Sequence, residues 1–277
     1  MQKHKAMKKS ILINIFLFLL IVIQVKAREP SYNEVKERFD IMNANSELTI
    51  EFNDKIYNQI NRYSKEGAMS KVAGSFLFYS ELFDRKFSKF GIPTELKYLA
   101  VIESRMNART ISSAGAMGVW QIMPETGDEL TMRKDKYIND WFNPVASSDA
   151  SARYLKNAYK SLGDWNLTLV SYNCGIGNVK KGISKSGSKN IWKVYPFLPK
   201  ETRDYIIRFY AMKYLLTWGD YHNFYPMMLK YNYNDVEVIF HDGKSKIIKD
   251  NWYYFLNPHI LTDYVPKNAP YMRIKSK

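Results

Sequence analysis

The chain has 277 residues, 46% hydrophobic and 15% aromatic, enough to bury a core and too apolar for a disordered polymer. Forty-one basic against 27 acidic residues give a formal charge of +14, which favours polyanionic partners. One cysteine, Cys174, excludes an internal disulfide, and with only the scattered His4, His222, His241 and His259 beside it the chain lacks Cys/His zinc motifs.

The first 27 residues differ in kind from the rest. Lys3, Lys5, Lys8 and Lys9 precede an apolar run from Ile11 to Val25, and Val25-Lys26-Ala27 follows with small residues at a cleavage position. This is the layout of an export signal; uncleaved, it would associate the chain with a membrane, although the run is short for about 30 Å of hydrocarbon. The chain is therefore expected to be exported, to the periplasm or cell envelope. Residues 1–27 carry five lysines and no acid, so the remainder keeps an excess of nine positive charges. Nucleic acid is set aside as a partner, since export argues against it and no basic run is interleaved with aromatics.

Beyond the signal the pattern is mainly helical. Residues 28–75 read as an N-terminal helical segment, with apolar residues at helical spacing from Glu47 to Ser64. From Val72 to Phe90 a wide stripe is formed by Phe76, Leu77, Tyr79, Phe83, Phe87 and Phe90. Gly91-Ile92-Pro93 breaks it, and Pro93-Thr94-Glu95 opens the next helix with proline and an acid in the first turn. Ile111 to Gly127 is a Gly/Ser-rich loop passing into a short helix near Pro124. Further helices are expected over Val145–Leu162, Asn166–Tyr172 and Glu201–Trp218, with Lys180–Asn190 a basic surface loop. Residues 221–277 read as an irregular, partly β appendage, with a short strand at Val236–Phe240 and a turn at His241-Asp242-Gly243-Lys244.

Within Pro93–Asn107, helical spacing puts Leu96, Leu99, Ala100 and Glu103 on one face. Three are apolar and the fourth is a carboxyl group at the far end of a core-facing stripe. Burial and the negative end of the helix dipole both disfavour its ionised form, which suits a general acid. The structural alternative is a buried glutamate paired with Arg105, Arg109 or another cation. After it, Ser112 to Gln121 combines small residues with Trp120, which either stacks on a sugar or fills the core, and with Gln121, whose amide both donates and accepts. Ser171-Tyr172-Asn173 then precedes a Gly175-x-Gly177 turn. Cys174 reads as a small buried residue.

The ordered set Glu103-Ser104, Gly118-Val119-Trp120-Gln121-Ile122-Met123-Pro124, Ser171-Tyr172-Asn173-Cys174-Gly175 and Leu198-Pro199-Lys200-Glu201-Thr202 resembles the lytic transglycosylases of the soluble-lysozyme-like superfamily, most closely the membrane-bound murein transglycosylase D group. The resemblance runs from about Phe76 to Leu216 and includes Asp164-Trp165. It implies a lysozyme-like helical catalytic domain of the goose-type and soluble transglycosylase kind over 76–220, followed by the 221–277 appendage. It also implies cleavage of the β-1,4 bond between N-acetylmuramic acid and N-acetylglucosamine in peptidoglycan glycan strands, leaving a 1,6-anhydromuramoyl end, by a monomer that needs no cofactor and no metal. Glu103 would be the catalytic acid and base; Ser104, Ser112, Gln121, Met123, Tyr172, Asn173 and Glu201 would contact substrate. Ser112 would orient the carboxyl group, and Tyr172 would hydrogen-bond near it. Ser171 and Cys174 replace alanines usual in the family, and Val119 a leucine. Two other readings remain. A hydrolase on the same fold would need a second carboxylate, with Glu125, Asp128 and Glu129 nearest in sequence. A non-catalytic wall-binding protein would keep only the groove.

Overall fold

The computed structural model describes residues 29–243 and 250–275, and the expected export signal over 1–27 lies outside them. Ser31 and Glu34 form a capping box that opens α1 (Tyr32–Ala44). This helix lies within the segment 28–75 read as helical, and its S-x-x-E signature marks the start. The helix expected from Glu47 starts later: residues 47–53 lie outside any helix or strand, and Asn53 caps α2 (Asp54–Ser64) through the amides of Lys55 and Ile56.

The long helix α3 (Ala68–Phe90) ends at Gly91 in the left-handed conformation. Its stripe is narrower than expected, because Leu77 is exposed while Phe76, Phe83 and Phe87 are fully or almost fully buried. A 3-10 turn (Thr94–Tyr98) leads into the six-residue α4 (Leu99–Ser104), which stops where Arg105 and Met106 take positive φ. After the loop come the short α5 (Pro124–Glu129) and α6 (Pro144–Leu162), both with proline in the first turn.

Asp164 caps α7 (Trp165–Ser186), which contains a break at Gly175 (φ 80°, ψ 152°). Its second half corrects the expectation of a loop over Lys180–Asn190. The stretch is rich in lysine and glycine, but Val179 and Gly182 face the core, where a Cβ on Gly182 would lie 2.9 Å from Val194. Tertiary contact thus outweighs weak helix propensity. The short α8 (Ile191–Val194) follows, and α9 (Lys200–Trp218) then runs through the middle of the molecule. Tyr205, Ile206, Phe209, Tyr210 and Tyr214 of α9 are buried, packed around by α2, α4 and α7.

A buried ion pair fixes α9. Lys213 Nζ lies 2.6 Å from Glu95 and donates to Ser46 Oγ (2.5 Å) and Leu48 O (3.0 Å), tying the extended N-terminal strap to the start of the 3-10 turn. Burial lowers the Lys213 pKa, and the Glu95 carboxylate opposes that shift.

The C-terminal segment has the expected strand β1 (Val236–Phe240). It pairs antiparallel with β2 (Pro270–Ile274), Val236 opposite Ile274 and Phe240 opposite Pro270, with α10 (Asn251–Leu256) between them in sequence. This segment is docked against the helical part. Tyr79 donates to Phe255 O (3.0 Å), and Arg109 donates to Pro258 O and Ile260 O, both at 3.0 Å. A small second core joins Ile138 to Tyr253, Ile260, Val265, Ala269 and Tyr271. Among the described residues no helix is long and apolar enough to cross a membrane.

One glycine in the central loop is fixed by packing. Gly118 has φ +81°, and a Cβ there would lie 1.8 Å from the carbonyl oxygen of Trp141. Both the overlap and the left-handed backbone disfavour any side chain. Gly118→Ala is therefore expected to destabilise the fold by more than about 3 kcal/mol, read as a fall in the thermal denaturation midpoint.

Candidate functional site

Three successive carbonyls of the loop each accept from a different side chain. Gly118 O takes Gln121 Nε2 (2.8 Å), Val119 O takes Ser104 Oγ (2.9 Å), and Trp120 O takes Tyr172 Oη (2.8 Å). Buried carbonyls need such partners, and here the partners come from the loop itself, from α4 and from α7. Trp120 is fully buried against Phe83 and Phe87 and donates to Ser148 Oγ (2.9 Å), so of its two sequence roles the structure gives the core one. The loop is thereby pinned on the helix that ends in Glu103.

Glu103 sits deep, with a partial opening to solvent. Neither arginine of the structural alternative pairs with it: Arg105 bonds Glu66 (2.7 Å) and Arg109 the C-terminal carbonyls. Instead Tyr205 Oη of α9 donates a short hydrogen bond to Glu103 Oε1. Burial pushes the carboxyl pKa up from 4.5 to about 7; the Tyr205 bond and the positive charge of Arg208 hold it down, and the negative charge of Glu201 raises it. The result is a group that carries its proton near neutrality. Burial also keeps Tyr205 well above its ordinary value, so its hydroxyl remains a donor.

Two openings are lined by residues singled out in the sequence. One, of about 230 Å³, is lined by Gln121, Met123, Tyr172 and Asn173, together with Tyr154 and Leu130. The other, a wider groove of about 910 Å³, lies between α2 and α9 and includes Glu201 and Arg208. The charge of Glu103 acts on Tyr172 of the first, and Glu201 and Arg208 of the second act on Glu103, which itself lines neither.

The residues singled out in the sequence divide into two groups. Gln121, Met123, Tyr172 and Asn173 line one opening and Glu201 the other. Gln121 spends its amide donors on Thr110 O (3.2 Å) and Gly118 O, which leaves its oxygen for a ligand. Asn173 Oδ1 accepts from Thr202 Oγ1 (2.6 Å), bridging α7 to α9. Tyr172 donates to Trp120 O and lies 3.3 Å from Ser151 Oγ, so its hydroxyl steadies the loop under Glu103. Ser104 and Ser112 line neither opening. Ser104 is buried with its hydroxyl on Val119 O and Ala100 O, and Ser112 Oγ accepts from the Ala116 amide (3.0 Å). Cys174 is half-buried, and burial raises its thiol pKa, which opposes a nucleophilic role.

The sequence reading missed Tyr205 and Arg208. Their only signal was helical spacing, one and two turns beyond Glu201 on α9, and nothing local tied that helix face to Glu103. Among the described residues no group of three or more His, Cys, Asp or Glu side chains is placed to hold a metal.

Fold and site together define a helical domain built around one buried, proton-holding carboxyl group. Residues 81–195 match the Transglycosylase SLT domain family. Over 133 residues it is 32% identical to the membrane-bound lytic murein transglycosylase D of Escherichia coli strain K12, covering 46% of this chain and 29% of that enzyme. The matched stretch thus spans less than a third of the relative's length. Among solved structures, the 70 kDa soluble lytic transglycosylase of Escherichia coli overlaps 53% of this chain and 25% of its own, at 25% identity and a TM-score of 0.44. Lytic transglycosylase Slt of Pseudomonas aeruginosa overlaps 50% of this chain and 24% of its own, at 20% identity and a TM-score of 0.43.

Two measurements probe this electrostatic arrangement. Removing the Tyr205 hydroxyl removes a bond that favours the carboxylate, so in Tyr205→Phe the Glu103 titration, followed by carbon-13 NMR, is expected to move to higher pH. The folded-state pKa of Glu103 is raised, so the native state holds this proton more tightly than the unfolded chain does. Its contribution is therefore lost as pH rises from 4.5 through about 7. Glu103→Gln is expected to raise the thermal midpoint by about a few degrees at pH 8 and to leave it nearly unchanged at pH 4.

Proposed function

We propose that this chain is a peptidoglycan lytic transglycosylase of the cell envelope, with Glu103 as its single acid and base. The observation that carries the reading is the partly exposed Glu103 carboxyl group, made proton-bearing by burial and bonded by the Tyr205 hydroxyl. The SLT domain match and the murein transglycosylase relative support the substrate class.

In this reading the glycan strand crosses the two openings with its β-1,4 bond at Glu103. The carboxyl group gives its proton to the bridging oxygen, and the C1–O bond breaks. The departing N-acetylglucosamine end keeps that proton as a hydroxyl. The acetamido oxygen of the muramoyl ring stabilises the positive charge developing at C1, as in substrate-assisted glycosidases. Glu103, now a carboxylate held by the Tyr205 hydroxyl and the Arg208 charge, takes the proton of the muramoyl C6 hydroxyl. The C6 oxygen closes on C1 to give the 1,6-anhydro ring. No water enters the balance, and Glu103 ends protonated. Because the nucleophile is tethered to the same sugar, ring closure carries a small entropic cost.

Glu103 serves both halves because its environment opposes neither form strongly. Burial favours the acid, while Tyr205 and Arg208 favour the base. Gln121, Met123, Tyr172 and Asn173 would line the sugar sites on one side, and Glu201 on the other. Ser104 and Ser112 would act from beneath, holding the loop.

A hydrolase on the same fold requires a carboxylate to position water. Glu125, Asp128 and Glu129 are exposed on α5 and exert no influence on the Glu103 titration; Glu201 does. Mass spectrometry of glycan products separates the two chemistries. Anhydromuramoyl ends, one water lighter than reducing ends, are expected; reducing muramic acid ends throughout would overturn the transglycosylase reading. Glu103→Gln removes the proton donor and is expected to lower the turnover number by at least about a thousandfold, with folding checked by circular dichroism. Activity in the wild type should fall as pH rises through about 7, where Glu103 loses its proton.

A further inference from the structure

The positive charge of the chain is concentrated in one stretch. Residues 150–200 hold eight lysines and one arginine against a single acid, Asp164, and so carry eight of the nine excess charges that remain outside 1–27. A surface charged only for solubility mixes both signs. Here Lys180, Lys181, Lys185, Lys189 and Lys193 are all exposed, and among the described residues none of them has a carboxylate within ion-pair distance. Lys189 donates to Leu162 O (2.8 Å), and Lys200, at the end of the stretch, is paired with Asp204.

Helix geometry gathers the core of this charge on one face. In the second half of α7, Val179 and Gly182 turn inward. At about 100° per residue, Gly177, Lys180, Lys181, Ser184 and Lys185 span the opposite face, and all five are exposed. Lys181 and Lys185 stand one turn apart, a like-charge pair that weakens an isolated helix. An anionic surface laid against them turns that repulsion into attraction.

An exposed ring borders the same face. Phe197, in the 3-10 turn after α8, is 46% exposed, yet its Cβ lies 3.8 Å from where a Cβ on Gly182 would stand. Gly182 is about 60° round the helix from Lys185, so the ring emerges beside the lysines. A soluble polyanion needs only the charges. A basic face with a protruding phenyl ring suits a lipid interface, where cations meet headgroups and the ring enters the acyl boundary.

We propose that the second half of α7, with Lys193 and Phe197, is a docking face for an anionic phospholipid bilayer. The contact is separate from any insertion of 1–27 and independent of what the cleft cleaves. Its lysines meet the lipid phosphates, and Phe197 supplies the apolar foothold. The first half of α7 carries Tyr172 and Asn173 at the smaller opening. Docking through the second half therefore holds that opening near the bilayer.

The test is co-sedimentation of the full chain with phosphatidylcholine vesicles, with and without about 30% phosphatidylglycerol. Insertion of 1–27 contributes to both lipid types, so the ratio between them reads the lysine face. The wild type is expected to partition about a hundredfold more strongly onto the anionic vesicles at low salt. About 0.5 M salt should remove most of that preference. Lys180→Gln with Lys181→Gln and Lys185→Gln should bring the ratio to about one, with circular dichroism and glycan cleavage unchanged. Phe197→Ser should lower partition onto anionic vesicles about tenfold, whereas Phe197→Leu, which stays apolar, should retain it. A wild type that binds both vesicles equally, or a preference that survives the triple substitution, overturns the proposal. A preference indifferent to Phe197→Ser makes the face a site for soluble polyanions and overturns the bilayer as its partner.

Discussion

A carboxyl group at the end of a six-residue helix cannot be buried unless its surroundings offer something to both of its charge states, and the arrangement around Glu103 follows from that constraint. Apolar walls favour the protonated form. Tyr205 and Arg208 supply just enough donor and positive charge to make the ionised form accessible. Both come from α9, so the position of that helix sets the titration of a residue a hundred positions earlier in the chain. The buried Lys213–Glu95 pair, braced by Ser46 and Leu48, fixes α9 against the turn that leads into α4. Replacing one member of such a pair strands the other as an uncompensated buried charge, which makes the strap at 46–48 part of the support of the site.

The loop from Thr110 to Ile122 answers a second constraint. It must pass beside Glu103 with its own carbonyls pointing inward, and each of three successive carbonyls is taken by a side chain. Ser104 and Tyr172 therefore work as supports: their hydroxyls hold backbone, and the backbone presents Gln121 and Met123 to the cleft. Gly118 permits the close approach to Trp141 on which this geometry depends. Positioning of this kind lets a small set of polar groups meet a ligand without reorganising.

The parts outside the SLT match give this chain its own character. Helix α2, which precedes the matched stretch, forms a groove with α9 lined by Lys55, Arg62, Lys200 and Arg208. The C-terminal segment, clasped by Arg109 and by the second small core, packs along α3 and the loop at 133–139.

The sequence by itself determined the helical class, because apolar spacing at 72–90, 145–162 and 201–218 leaves little else, and the local signals of proline, glycine and capping residues marked most of the ends. It also placed Glu103 on a core-facing stripe, and its ordered motifs pointed to the family. Where local and tertiary preferences disagreed, it misled: residues 180–186 are helical because Val179 and Gly182 find a core, and the helix expected from Glu47 begins only after Asn53, which caps it. Tyr205 and Arg208 were invisible as site residues, since helical spacing reports a face and not what that face meets. Pairing a carboxyl group with its donor is a contact between distant segments, and only the packing of α9 against α4 decides it.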